Sequence, residues 1–275
     1  MIRLRFYNSL GEVVFDKNGW HLTEAEGLCV PSKSLSGVRY INQPGQSTTY
    51  CIENPRTITL SGDINLAKAG EGEFGRACAV FGMEGTLEVE TDRYKRIISA
   101  RCMEFVPGER NGIYRCFVVQ FLCDVPFFED AEYTDTVVYE REPLLSKDTV
   151  LPAVFSTRIA KGDVFYPGSA WSEPVFYIRV PSGEGEVSIE NHTTGGRISV
   201  RYDNSLFSQL IIDVKNRTIT DENGISRLEL LTDDSFFDGF ILRSGKNSIE
   251  VINSDVENDI GTRMRYKVRY QEAVI

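Results

Sequence analysis

The chain has 275 residues, 41% of them hydrophobic and 25% charged. Those are globular proportions, which exclude a disordered polymer and leave room for one large domain or two average ones. Its net charge is −10, from 40 acidic and 30 basic residues, so it lacks the basic footprint that tight nucleic-acid binding needs.

The N-terminus, Met1-Ile2-Arg3-Leu4-Arg5-Phe6, alternates apolar and basic residues as a strand does. It has no apolar core of a signal peptide, which predicts synthesis in a cytoplasm. The longest apolar stretch, Cys116–Phe128, is broken by Gln120 and Asp124 and is too short to span a bilayer. Thr57–Ile64 and Leu87–Val89 carry the period-two pattern of half-buried strands. Tyr114–Leu122 is apolar on both faces and predicts a strand buried on both sides. Between them, Phe74–Met83 is rich in Ala, Phe and Arg, with Gly82 and Gly85 as a stop, and predicts one short helix. Asn42–Tyr50, with Pro44 and Gly45, predicts a long hairpin or arm, and Pro107–Gly112 predicts a turn. Composition changes over Asp135–Pro152, which predicts a connection between a domain of residues 1–140 and a second of residues 141–275.

The second half predicts short strands at Val175–Val180, Glu186–Asn191, Arg197–Tyr202, Gln209–Val214, Arg217–Thr220, Arg227–Leu231, Gly239–Leu242, Ser248–Ile252 and Arg263–Tyr270. Turn signals separate them, and that spacing predicts a β-sandwich or barrel. Asn223-Gly224 is a type I′ hairpin signal, because both residues tolerate positive φ. In the last strand Met264, Tyr266, Val268 and Tyr270 share one face, and Arg263, Arg265, Lys267 and Arg269 share the other. The basic face predicts either an acidic neighbour or a charged edge guarded against aggregation.

The search for chemistry assigns no catalytic, cofactor-binding or metal-binding residue. Cys29, Cys51, Cys78, Cys102, Cys116 and Cys123 form no CxxC pair and predict buried free thiols. His21 and Cys29 are the only histidine and cysteine close in sequence. Gly70-Glu71-Gly72-Glu73-Phe74-Gly75 satisfies GxGxxG, but a polar gap separates it from the preceding strand and two glutamates would sit beside a pyrophosphate. Gly245-Lys246-Asn247 is not a phosphate loop, and no GxSxG or HExxH occurs. Asp233, Asp234 and Asp238 cluster beside Phe236-Phe237; paired carboxylates can serve a glycosidase, but a polar loop between two strands is the favoured reading and needs no chemistry. Trp171, Tyr166 and Tyr177 would suit a sugar site if exposed, or core packing if not.

As an ordered set, these blocks resemble the siphophage distal tail protein family. The resemblance lies in Arg56-Thr57-Ile58-Thr59-Leu60-Ser61-Gly62-Asp63-Ile64, the helix after it, Gly85-Thr86-Leu87-Glu88-Val89, and the strand running into Cys123-Asp124-Val125-Pro126-Phe127-Phe128. It continues through Val187–Asn191, Leu210–Asp213, Ser235-Phe236-Phe237 and Leu242–Ile249. Arg243 departs from it, standing where a proline is commoner. The resemblance implies a mainly β fold: an N-terminal split-barrel belt domain with one short helix and a hairpin arm, and a C-terminal galectin-like β-sandwich. It implies a non-enzymatic structural protein at the virion tail tip, made in the bacterial host cytoplasm, without cofactor. Its implied assembly is a homo-oligomer, a hexameric ring at the baseplate, joining the tail tube protein to a tail-associated lysin or fibre hub. A receptor-binding protein is a further implied partner, DNA passes through the lumen without specific binding, and no membrane is involved. The net charge predicts an acidic lumen, since like charge repels DNA from a wall. The alternative is a carbohydrate-binding module contributing to host-wall attachment.

Overall fold

A computed structural model describes residues 2–41, 44–70, 72–139, 141–143, 156–158, 161–254 and 260–273. Among these the chain is mainly β, as expected. It divides into two compact units: residues 1–131 together with 270–275, and residues 132–269. The division expected at 140/141 therefore falls nine residues earlier, and the last six residues count with the first unit. Asp135–Pro152 holds two strands rather than a plain connection, and its residues 144–155 lie outside the described set.

The first unit runs β1 (Arg3–Asn8), β2 (Gly11–Phe15), β3 (Trp20–Glu26), β4 (Lys33–Val38), β5 (Ser47–Glu53), β6 (Arg56–Asn65), α1 (Leu66–Ala69), α2 (Glu73–Phe81), β7 (Gly85–Glu90), β8 (Lys95–Asn111), β9 (Tyr114–Cys123) and β10 (Phe128–Asp130). The strand order is β2-β1-β7-β8-β9-β6-β3, antiparallel throughout. Strand β8 is long enough to serve two neighbours in turn. Up to Ala100 it pairs with β7, and from Arg101 it pairs with β9, which splits the sheet into two blades. Pro107 lies inside β8 rather than in a turn, because the register shifts between Pro107 and Arg110 and a bulge tolerates a residue without an N–H. The reversal is left to Gly112-Ile113, with Gly112 at φ 61°.

The core is aromatic. Phe6 stacks on Phe121 at 4.8 Å, Trp20 meets Phe117 edge-on at 4.9 Å, and Phe81 meets Phe105 at 5.0 Å. Helix α2 closes this core with Ala77, Val80 and Phe81, the 3–4 spacing of one buried face. Its first turn is held down by Trp20, whose Nε1 donates to Glu73 Oε1 at 3.0 Å. Strand β9 corrects an expectation: it alternates, with Phe117, Val119, Phe121 and Cys123 buried and Val118 exposed, so only one face is covered.

The second unit runs β11 (Thr134–Tyr139), β12 (Arg141–Pro143), β13 (Ser156–Arg158), β14 (Lys161–Tyr166), β15 (Val175–Arg179), β16 (Glu184–Asn191), β17 (Gly196–Asp203), β18 (Gln209–Asp213), β19 (Thr218–Asp221), β20 (Gly245–Asn253) and β21 (Gly261–Tyr266); the last strand, β22 (Arg269–Tyr270), falls on the division between the units. Its two main sheets have the orders β11-β21-β15-β18-β19 and β14-β20-β16-β17. Phe176, Ile178, Leu210, Ile212 and Met264 of the first are buried, as are Val187, Ile189, Ile198, Val200 and Ile249 of the second, which is the composition of a sandwich core.

Three expectations fail here for local reasons. Arg227–Leu231 is a 3₁₀ turn over Leu228–Leu230. The chain after it makes single bonds to the edge of β17, from Thr232 N to Ser199 O and from Phe236 N to Arg197 O, an irregular cover that blunts that edge. Gly239–Leu242 contributes only the bridge Ser172↔Leu242. Asn223-Gly224 is no type I′ turn, since only Gly224 has positive φ (78°); the Asp221 carboxylate accepts from Asn223 N and Ile225 N instead and shapes the loop. Strand β21 is flanked by β11 and β15, so its basic face is not an edge; Arg265 donates to Asp135 at 2.7 Å, and Arg269 is buried against Glu173.

Glu222 gives this unit a definite acid response. Its carboxylate accepts from Ser208 N, Gln209 N and Ser208 Oγ, each at 3.1 Å. Those bonds, the Ser208 N–H foremost, hold its pKa down to about 2 against an ordinary 4.5. A depressed folded-state pKa contributes stability above pH 4.5 that is lost as pH falls toward 2. Thermal melts across that window are expected to flatten in Glu222→Gln relative to the parent.

Candidate assembly surface

The residues singled out for chemistry stay apart. His21 is exposed on β3 opposite Asp63, and Cys29 lies beyond the end of that strand; His192 belongs to the second unit, where it bonds Glu250 at 2.6 Å. Among the described residues no group of three metal-ligating side chains forms. The six cysteines are free, yet only Cys123 is buried; Cys29, Cys51, Cys78 and Cys116 are exposed, against the expectation for all six. The glycines of Gly70–Gly75 lie between α1 and α2, after an antiparallel strand, so the dinucleotide geometry is missing. Asp234 is held below the ordinary range by the Thr232 hydroxyl, and Asp238 pairs with Arg217. A carboxyl lowered as Asp234 is runs opposite to the raised carboxyl a glycosidase acid must be.

What remains is apolar surface. Strands β4 and β5 form a two-stranded sheet of their own. Directly opposed residues share a face: Leu35 faces Cys51 on one side, while Ser34–Ile52 and Ser36–Tyr50 lie on the other. Leu35, Tyr50 and Ile52 are each more than half exposed, and Tyr40 and Ile41 beyond β4 are exposed as well. A two-stranded hairpin with no covered face is marginal in water, and burying each of these side chains stabilises by roughly 1.5–3 kcal/mol. This is the hairpin expected around Asn42–Tyr50, although its strands begin at Lys33 and end at Glu53, and Asn42 and Gln43 lie outside the described residues.

A second surface is the outer face of β3, β6, β9 and β8. Register aligns Glu24, Ser61, Val118 and Val106 in one row, and Glu26, Thr59, Gln120 and Glu104 in the next. Asp63 and Cys116 lie in a third. The face is acidic around an exposed Val106–Val118 pair. Sequence periodicity hid it, because a strand apolar on both faces reads as doubly buried.

The C-terminal residues complete the first unit. Tyr270 lies beside β10, and its hydroxyl donates to Asp130 at 3.2 Å. Arg56, 3% exposed, donates from Nε to Pro126 O at 2.8 Å, from Nη1 to Gly27 O at 2.6 Å and also to Cys29 O, and from Nη2 to Gln271 O. Burial pushes its pKa down, as expected for a cation held by carbonyls without a carboxylate. Arg96 bonds Glu272 and lies 3.7 Å from the Tyr270 ring centroid, and Ala273 N donates to Leu28 O at 2.7 Å. In the sequence Arg56 and Tyr270 read only as strand residues, since a lone Arg opening a strand has no periodic signal.

The chain is similar to known proteins in part and over its whole length. Residues 167–270 match the family model for the siphovirus-type tail component, C-terminal domain (SPP1_Dit). Those residues form a siphovirus-type tail component domain. The resemblance to the distal tail protein family is thereby borne out. Among solved structures, the chain is similar to the Dit (gp 19.1) protein of phage SPP1, described as a paradigm of the hub adsorption apparatus in phages infecting Gram-positive hosts. The TM-score is 0.70 at 11% identity, with 98% of this chain and 99% of that one covered. Identity that low shows a shared fold, and it extends over both units. The phage P2 baseplate in its Ca-activated conformation matches at a TM-score of 0.44 and 10% identity, covering 96% of this chain and 98% of that one, too weak a likeness to carry weight. No curated protein matches the chain. Among the described residues no helix is long and apolar enough to cross a membrane.

Proposed function

We propose that the chain is a non-enzymatic structural protein of the tail tip that closes into a ring, hexameric as the family resemblance implies. The observation that carries this is the β4–β5 arm, apolar on both faces and left exposed by the described residues. A closed ring needs two different complementary patches on each subunit. The arm is one. The outer face of β3, β6, β9 and β8 is the other: it offers Val106 and Val118 to apolar side chains and carboxylates to the arm's Arg39. The ring joins the tail tube above to the lysin or fibre hub below, and carboxylates not covered by the arm line a lumen that repels DNA and lets it pass. Gold-labelled antibody against the chain tests the location: label confined to the tail tip of virions is expected, and label along the tube or absent from particles contradicts it.

A further inference from the structure

We propose that the second unit carries a binding site for a neutral saccharide, in a cavity of about 310 Å³ lined by Trp171, Glu173, Lys215, Arg217, Phe237 and Asp238. The proposal stands on these residues alone and does not rest on the ring reading.

Of the three aromatics noted in the sequence, the structure leaves one suited to a ligand. Tyr166 is fully buried and donates to Ala170 O at 2.8 Å, and Tyr177 is half-buried on the outer face of β15. Trp171 is 37% exposed and lines the cavity. Its ring is held rather than loose: the guanidinium of buried Arg269 lies 5.6 Å from the ring centroid, and Arg269 Nη1 is fixed by Glu173 Oε2 at 2.5 Å. A fixed indole with an open portion offers an apolar platform at little entropic cost.

Arg217 also lines the cavity. Among the described residues three non-glycines have positive φ: Asp16, Asn18 and Arg217, the last at φ 54°. Asp and Asn tolerate that region through their short polar side chains, and Arg does not. The loop between β18 and β19 imposes it, with Asn216 N and Nδ2 both bonded to the Asp213 carboxylate. Glycine would satisfy the backbone better, so the strain is maintained for the side chain. That side chain pairs with Asp238, which lines the same cavity. The pair presents planar donors and acceptors at fixed spacing, which is what hydroxyls on adjacent carbons require. The charges on the wall are nearly balanced, with Glu173 and Asp238 among the cations, so a strongly anionic ligand is disfavoured. An apolar stacking surface beside a polar rim fits a pyranose, which has a C–H face and a hydroxyl edge.

Saturation-transfer NMR on the full chain with the methyl glycosides of glucose, galactose, N-acetylglucosamine and rhamnose tests this. At least one is expected to bind saturably below about 50 mM. R217G relieves the strained backbone, so it is expected to melt at or above the parent while losing binding by about tenfold or more. W171A should lose binding as well. No saturable glycoside in that range overturns the proposal, as does an R217G protein that binds like the parent.

Discussion

Replacing Tyr50 and Ile52 together by aspartate is expected to dissolve the assembly into monomers. Both side chains stand on one face of the arm, exposed in the isolated chain. An interface centred on them behaves as a hot spot, in which each truncation costs about 2 kcal/mol or more, and a buried unpaired carboxylate costs further. Two such changes weaken association by at least about a thousandfold. The folded protomer should not notice, because exposed positions change stability by no more than about 0.5 kcal/mol. Sedimentation velocity against concentration reads the first effect. Denaturant unfolding at a concentration where both proteins are monomeric reads the second. A variant that assembles like its parent would remove the arm from the interface, and one that fails to fold would show that the arm packs on its own chain.

The second large effect is internal. Arg56→Met is expected to lower the stability of the first unit by about 3 kcal/mol or more. The substitution leaves the buried carbonyl of Pro126 and the part-buried bonds to Gly27, Cys29 and Gln271 without their donor, where a buried unpaired group costs about 1–3 kcal/mol and a part-buried one less. Arg56→Lys should rescue little, since an ammonium cannot reproduce the fork of a guanidinium that reaches four acceptors. Removing residues 270–275 should act in the same direction, because Gln271 and Ala273 leave with their bonds. The chain has two tryptophans, Trp20 in the first unit and Trp171 in the second. Fluorescence-detected unfolding in a Trp171→Phe background therefore reports the first unit. An unfolding curve for Arg56→Met that overlays its parent would show that the clamp is ornament.

These two predictions mark what the sequence could and could not tell. Strand β6 was legible because Thr57–Ile64 alternates in water-facing and core-facing residues, and α2 because its apolar positions recur at helical spacing. Most second-unit strands were legible for the same reason as β6. What escaped was decided by partners distant in sequence. Arg227–Leu231 has strand-like composition, yet it lies against an edge already formed by β17. Tyr114–Leu122 looks doubly buried because Val118 is apolar, and only the register shows it facing outward. Arg56 acquires its role from Gln271, 215 residues away. The arm was located from its turn residues, while its exposed apolar faces required the pairing of β4 with β5.

The ring is the claim on which the proposed function depends, and negative-stain imaging of the purified protein beside its Tyr50→Asp/Ile52→Asp variant tests it most directly. The account predicts closed rings with a central opening for the parent, with a mass by light scattering that is a whole multiple of 31.0 kDa, and single protomers for the variant. A parent that stays monomeric up to its solubility limit, or that forms open filaments, would contradict it.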